Sequence, residues 1–142
     1  MVISYLGLGS NIGERSVLLG QAIALIGQKI GPVVRFSDIV ESEPYGFVSN
    51  NMFLNMVVAV ETELAPEALL DATQEIERML GRVEKTVDGK YSDRTIDIDI
   101  LLYGDTEYSS SRLTIPHPHI RERRFVLEPL KQINPEYGRQ LS

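Results

Sequence analysis

Two carboxylates, Asp97 and Asp99, lie two positions apart in the run Arg94-Thr95-Ile96-Asp97-Ile98-Asp99-Ile100-Leu101-Leu102-Tyr103. Apolar, largely β-branched residues alternate with other types there, which predicts a strand. Successive strand side chains point to opposite faces, so Ile96, Ile98, Ile100 and Leu102 are expected on one face. Asp97 and Asp99 are expected on the other, with Cα atoms about 6.6 Å apart. Two like charges so placed repel each other and suit a cation, above all hard Mg²⁺, which takes oxygen ligands and often shares them with phosphates. An isolated D-x-D is more often a solvated or ion-paired face than a metal site. Here the neighbourhood favours the metal: Arg94 precedes the pair at i−3, and arginines cluster further on.

That cluster accompanies Leu113-Thr114-Ile115-Pro116-His117-Pro118-His119, with Arg112, Arg121, Arg123 and Arg124 around it and Phe125 after it. Arginine forks match phosphate oxygens bidentately, and histidine can donate to them. Zn²⁺ on His117 and His119 is disfavoured by the surrounding positive charge. Phe53 and Asn55 are expected to share one face of another strand. The plain reading is a core aromatic and an edge amide. The functional one is a flat heterocycle, stacked on the ring and read at its edge by the carboxamide. Arg82, Lys85, Lys90 and Arg94 lie in a loop that reads either as solvated surface or as a lid carrying cations to a polyphosphate. Gly7-Leu8-Gly9-Ser10-Asn11 lacks the lysine of a phosphate loop and the third glycine of a dinucleotide fingerprint. Its glycines read as close packing and turn geometry.

The elements that must position these groups are predicted from periodicity. Residues 2–9 predict a first strand. Asn11, with Glu14 as capping-box partner, predicts the start of a helix with Leu18, Ala22, Leu25 and Ile26 on its apolar side and Gly31-Pro32 closing it. Residues 33–40 read as a second strand, about 41–51 as a loop, and 53–62 as a third strand. Pro66 opens a second helix with Leu69, Thr73, Ile76 and Leu80 buried, ended by Gly81. The loop at about 82–93 and the Asp97 strand come next. Beyond Gly104, short strands and turns are expected around Pro116, Pro118 and Pro129. The order β-α-β-β-α-β predicts an α+β, ferredoxin-like antiparallel sheet with helices on one face and an irregular C-terminal extension.

Composition agrees with a single domain over 1–142. The 142 residues are 43% hydrophobic and 24% charged, with no cysteine and a net charge of −6. No thiolate site or structural disulfide is possible. The acidic balance argues against a general nucleic-acid binder, and no apolar stretch is long enough for a membrane span. No signal peptide is recognisable, and a cytoplasmic protein is expected. The local basic cluster points to a small anionic ligand.

Together these segments resemble the 6-hydroxymethyl-7,8-dihydropterin pyrophosphokinase family of folate biosynthesis. The matching pieces are Gly7-Leu8-Gly9-Ser10-Asn11, Glu43-Pro44-Tyr45-Gly46, Phe53-Leu54-Asn55, Gln74-Glu75-Ile76-Glu77 with Gly81-Arg82, and Arg94 to Ile100. They continue with Leu113 to His117, Arg123, Phe125 and Glu128-Pro129-Leu130. The resemblance implies transfer of pyrophosphate from ATP to the pterin hydroxymethyl group, with AMP leaving. It implies two Mg²⁺ on Asp97 and Asp99, and a pterin between Phe53 and Phe125, read by Asn55 and by the chain at Ser42, Pro44 and Tyr45. It implies ATP at Gln74, Glu77, Ile98, Arg112, Thr114 and His117, and charge stabilisation by Arg82, Arg94 and Arg123. A monomer is expected, with ATP and the pterin as its partners and neither nucleic acid nor membrane.

The chain departs from the family at Glu84 and over 86–93, where a basic, Trp-containing loop is usual and Tyr91 stands nearest the Trp. Pro118 replaces a frequent tyrosine, Phe53 a frequent tyrosine, and no final helix is recognisable before Ser142. Competing readings are another Mg²⁺-dependent phosphoryl or nucleotidyl transferase, or a non-enzymatic ferredoxin-like ligand-binding module. A single-strand RNA-binding domain is disfavoured by acidic charge and by the lack of an aromatic RNA-binding strand.

Overall fold

A computed structural model of the chain describes residues 1–43, 52–81 and 95–136. In chain order its elements are β1 (Val2–Ser10), α1 (Arg15–Lys29), β2 (Val33–Phe36), β3 (Val40–Ser42), β4 (Phe53–Thr62) and α2 (Pro66–Met79). Then come β5 (Asp97–Tyr103), β6 (Tyr108–Ser109), β7 (Thr114–Ile115) and α3 (Arg124–Ile133). The main sheet has the order β2-β4-β1-β5, with β3 also on β4. Its neighbouring strands are antiparallel. This is the expected α+β, ferredoxin-like arrangement, with the second strand broken in two. The break is at Ser37. Its N–H donates to the Val57 carbonyl, and its hydroxyl accepts the Val57 N–H at 2.9 Å, a bond that a ladder carbonyl would otherwise take.

Each face of the sheet buries a core. On one, Leu6, Leu8, Met56, Val58, Ile96, Ile98 and Ile100 pack against Leu19, Ala22 and Ile26 of α1 and Leu69, Leu70 and Ile76 of α2. On the other, Tyr5, Val57, Ala59, Leu101 and Leu102 meet Ile120, Leu130 and Ile133. Leu102 therefore does not share the face of Ile98 and Ile100. Tyr5 pairs with Leu102 but Leu6 pairs with Ile100, so Leu101 is an extra residue in β5. Such a bulge shifts the alternation by one position and turns the residues after it to the opposite face.

The expected cap of α1 is also displaced. β1 continues through Ser10, and Asn11 is buried at its end, 2% exposed. The chain turns at Gly13, φ +76°, and the helix starts at Arg15 without a side-chain cap bond. After α1, Gly31 crosses so close to β4 that a Cβ there would lie 1.8 Å from the Glu61 carbonyl oxygen, which only glycine tolerates. α2 begins with Pro66 in its first turn, where a missing N–H removes no helical bond, and buries Leu69, Thr73 and Ile76 as predicted.

The C-terminal extension contains a helix, α3, that the turn-like prolines did not predict. Pro129 lies inside it and lacks the N–H that would reach the Phe125 carbonyl, an effect of about 3 kcal/mol in a helix interior. Burial of Pro129, Leu130 and Ile133 against the second face outweighs this loss. Gln132 strengthens the docking, accepting the Asp38 N–H and donating to the Asp38 carboxylate, both at 2.9 Å.

Candidate active site

Asp97 and Asp99 are both half-buried, between the buried Ile96, Ile98 and Ile100. The registers place Gly9 of β1 between Asp97 of β5 and Asn55 of β4, and Gly7 between Asp99 and Val57. At Gly7 and Gly9 the strand that separates the carboxylates from the amide has no side chain, which leaves a trough. The walls come close: a Cβ on Gly9 would stand 3.2 Å from Asn55 Oδ1 and 3.4 Å from the Phe53 ring.

Asn55 is 5% exposed, and its Nδ2 donates to Ser42 Oγ at 2.8 Å and to the Val40 carbonyl at 3.3 Å. These two acceptors assign the amide orientation and turn Oδ1 toward Gly9. Ser42 and Phe53 are register partners across β3 and β4. α3 covers Val57 and Ala59, on the same alternating face as Phe53 and Asn55. Its N-cap is Arg123, and Phe125 falls in its first turn. Sheet and helix thus bring Asp97, Asp99, Ser42, Phe53, Asn55, Arg123 and Phe125 to one side of the molecule.

A second space lies at β5, the terminal strand of the sheet. A cavity of about 260 Å³ is lined by Leu70, Ile98, Asp99, Ile100, residues 110–114, His117 and Pro118. It joins the apolar face at Ile98 to the carboxylate face at Asp99. His117 is anchored by its N–H on the Leu101 carbonyl at 2.9 Å. Its ring Nδ1 accepts the His119 N–H at 3.2 Å, so the neutral ring carries its proton on Nε2. Arg112, at the rim, is held by Asp71 at 2.7 Å, Glu67 at 3.2 Å and, more weakly, Gln74 at 3.4 Å. Hydrogen bonding to Asp71 raises the Arg112 pKa, and hydrogen bonds from Tyr108 and Ser110 lower that of Glu67.

Glu77 sits differently from an exposed ligand. It is 4% exposed, and its Oε2 accepts the Ile98 N–H at 2.8 Å, which ties α2 to the backbone between the two aspartates. Arg82, Arg94, Pro44 and Tyr45, and the loop at 82–93, lie outside the described residues. Among the described residues no group of three or more His, Asp, Glu or Cys side chains could hold a metal. The donor set of two hard carboxylates still fits Mg²⁺, which commonly takes one or two carboxylates and fills its remaining positions with water and phosphate. A larger concavity of about 740 Å³, bordered by Tyr5, Arg35 and Phe36, contains none of the predicted residues.

Sequence reasoning missed Glu67, Asp71, Tyr108 and Ser110. Glu67 and Tyr108 are 41 positions apart, and the acid in the first turn of α2 reads locally as an ordinary helix-dipole preference.

Fold and donor set define a class: an α+β protein with oxygen donors for a hard cation beside cationic side chains for an anion, the requirements of phosphoryl transfer. The chain belongs to the 7,8-dihydro-6-hydroxymethylpterin-pyrophosphokinase (HPPK) family, whose model matches residues 5–135. It is 46% identical over 136 residues to the 2-amino-4-hydroxy-6-hydroxymethyldihydropteridine pyrophosphokinase of Porphyromonas gingivalis, covering 95% of this chain and 92% of that one. Identity to the enzyme of the same name from Bacillus subtilis is 43%, over 92% of this chain and 77% of that one. The fold is shared with a crystal structure of an HPPK-DHPS in complex with substrates, at a TM-score of 0.74 and 17% identity. That match covers 95% of this chain and 40% of the longer one.

Proposed function

We propose that this chain transfers the terminal pyrophosphoryl unit of ATP to 6-hydroxymethyl-7,8-dihydropterin, in folate biosynthesis. The pterin hydroxyl oxygen bonds to the β-phosphorus, the bond from that phosphorus to the α,β-bridging oxygen breaks, AMP leaves with that oxygen, and the hydroxyl proton is released. The observation that carries this reading is the row Asp97–Gly9–Asn55. It sets the Asp97 carboxylate and the Asn55 amide on either side of Gly9 with no side chain between them, which supports a cation on one side and a heterocycle on the other.

Asp97 and Asp99 would hold Mg²⁺, two ions in our reading. Bound there, the metal would supply charge neutralisation of the phosphates and acidification of the attacking hydroxyl. Phe53 and Phe125 stack on the pterin, and Asn55 Oδ1 accepts from its N–H edge while Ser42 holds the amide in place. Ile98 and Thr114 line the adenosine, with Gln74 and Arg112 at the rim. Glu77 acts through the Ile98 backbone. His117 Nε2 and Arg123 donate to phosphate oxygens, joined by Arg82 and Arg94. No covalent intermediate is needed, since positioning and electrostatics account for such transfers. We read the chain as one domain acting as a monomer in the cytoplasm. No helix among the described residues is long and apolar enough to cross a membrane.

The test is incubation with ATP, Mg²⁺ and the pterin, with analysis of the nucleotide products. AMP that depends on the pterin and disappears with EDTA is expected. ADP would mean a single phosphoryl transfer and another enzyme, and no product would favour a binding module.

A further inference from the structure

We infer that Glu67 is a positioning residue for the nucleotide: it fastens the β6–β7 hairpin to α2 and so sets where Arg112 and Thr114 stand along the cavity beside β5. The inference rests on the reading of that cavity as the ATP site. Three hairpin residues converge on this one carboxylate. Tyr108 donates its hydroxyl to Oε2 at 2.6 Å, and Ser110 donates to the same oxygen at 2.7 Å. Arg112 donates Nη1 to Oε1 at 3.2 Å. Asp71, one turn further along α2, takes Nη2 of the same guanidinium at 2.7 Å. Ser110 Oγ also accepts the Arg112 N–H at 3.2 Å, so the side chain that meets Glu67 shapes the backbone of the arginine as well.

The hairpin needs such a fastening. Each of its strands is two residues long, and its paired partners are Tyr108 with Ile115 and Ser109 with Thr114. An isolated hairpin of that size is not stable in water. Ile115 anchors one strand in the core, 2% exposed, while Thr114 and Arg112 are exposed. Leu113 and Tyr108 pack against the core that α2 helps to form, and the Glu67 cluster adds the polar bonds that fix the exposed Arg112 on α2. Direction of titration agrees: the Tyr108 hydrogen bond lowers Glu67 and raises Tyr108, the signature of a proton donated to a charged carboxylate.

The experiment compares wild type, Glu67→Ala, Glu67→Gln and Tyr108→Phe by two readouts. One is amide hydrogen exchange of the ligand-free protein. The other is the Kd for magnesium α,β-methylene-ATP and, separately, for the pterin. In Glu67→Ala, exchange over 108–114 should accelerate and the nucleotide Kd should rise about tenfold, the scale of a lost charge-assisted hydrogen bond, with pterin Kd unchanged. Glu67→Gln, which keeps an acceptor for Tyr108, should recover part of the nucleotide affinity, and Tyr108→Phe should lose less than Glu67→Ala. An unchanged nucleotide Kd in Glu67→Ala, with wild type binding well, would overturn the positioning role alone. So would equal losses of nucleotide and pterin affinity together with faster exchange throughout the chain, since that describes a general loss of structure. If wild type binds the pterin but not the nucleotide, the reading of the cavity falls and this inference falls with it.

Discussion

The two faces of the sheet are made from the same strands and have opposite fates. On β1, Leu6 and Leu8 go to the face sealed by α1 and α2, while Gly7 and Gly9 go to the face that carries Asp97, Asp99, Asn55 and Phe53. On β5, Ile98 and Ile100 are 1% and 3% exposed, and the aspartates that alternate with them are half-buried. α3 closes the second face over Val57 and Ala59 and presents Arg123 and Phe125 at its N-terminal end. Among the described residues, α1 and α2 seal one face, and α3 together with Ile120 covers the other over Tyr5, Val57 and Ala59. In our reading strand parity on β1 and β5 separates the first core from the carboxylates and the pterin wall, while Ile98 of that core also lines the cavity beside β5.

The strongest challenge to that separation is removal of a carboxylate. Asp97→Ala or Asp99→Ala should reduce AMP formation by about a thousandfold, the scale of lost transition-state charge stabilisation, with the thermal midpoint nearly unchanged. Normal turnover in either variant would remove that carboxylate from the reaction. The opposite change is Leu6→Ala, next to Gly7 but on the sealed face. It should lower unfolding free energy by about 2–5 kcal/mol in urea titration and leave turnover per folded molecule unchanged. A loss of kcat without loss of stability would contradict the division of labour between the faces.

Smaller effects probe the open face more finely. Phe125→Ala should weaken pterin binding about tenfold before it affects the nucleotide, as expected for loss of a stacked aromatic surface. Titration calorimetry with each ligand separates the two. Gly9→Ala would set a methyl group 3.2 Å from Asn55 Oδ1, so the amide must shift by a few tenths of an ångström. A several-fold rise in pterin Kd is expected, with the ATP-analogue Kd constant; equal affinity for the pterin would show that the trough has room to spare. The smallest effect is on pH dependence. The Glu67 carboxyl is held below its ordinary value of 4.5, chiefly by hydrogen bonds from Tyr108 and Ser110. Its contribution to stability is then complete above that ordinary value and is lost as pH falls through the lower folded value. The difference in denaturation midpoint between wild type and Glu67→Gln should be flat from pH 8 to about 5 and shrink under more acid conditions. A difference that grew as pH fell would reverse the sign assigned to Glu67.

Much of the architecture was legible because periodicity is a local property. Alternation along 96–100 is enough to separate Ile98 from Asp97 and Asp99, and the sealed core obeys that division. The proline at 66 and the spacing of Leu69, Thr73 and Ile76 are enough to describe α2. The motif from Arg94 to Ile100, with Leu113 to His117, placed the chain in a family that the match over residues 5–135 establishes. Local rules fail where a distant contact outweighs them. Asn11 has the residue type of a helix cap, but β1 runs on and buries it.

Strand parity, the starting proline of α2 and the residue types available for chemistry are written in the chain itself, since each depends on neighbours a few positions away. Other features exist only in the folded molecule. The extra residue at Leu101 turns Leu102 to the second core, because the register with β1 shifts between Tyr5 and Leu6. α3 persists through Pro129 because packing against Tyr5, Val57 and Ala59 outweighs a missing helical bond. Glu67 acquires its partners only when the hairpin folds back over α2, bringing together groups 41 to 45 positions apart. Those contacts depend on the closed geometry of the whole chain, and no local pattern of residues encodes them.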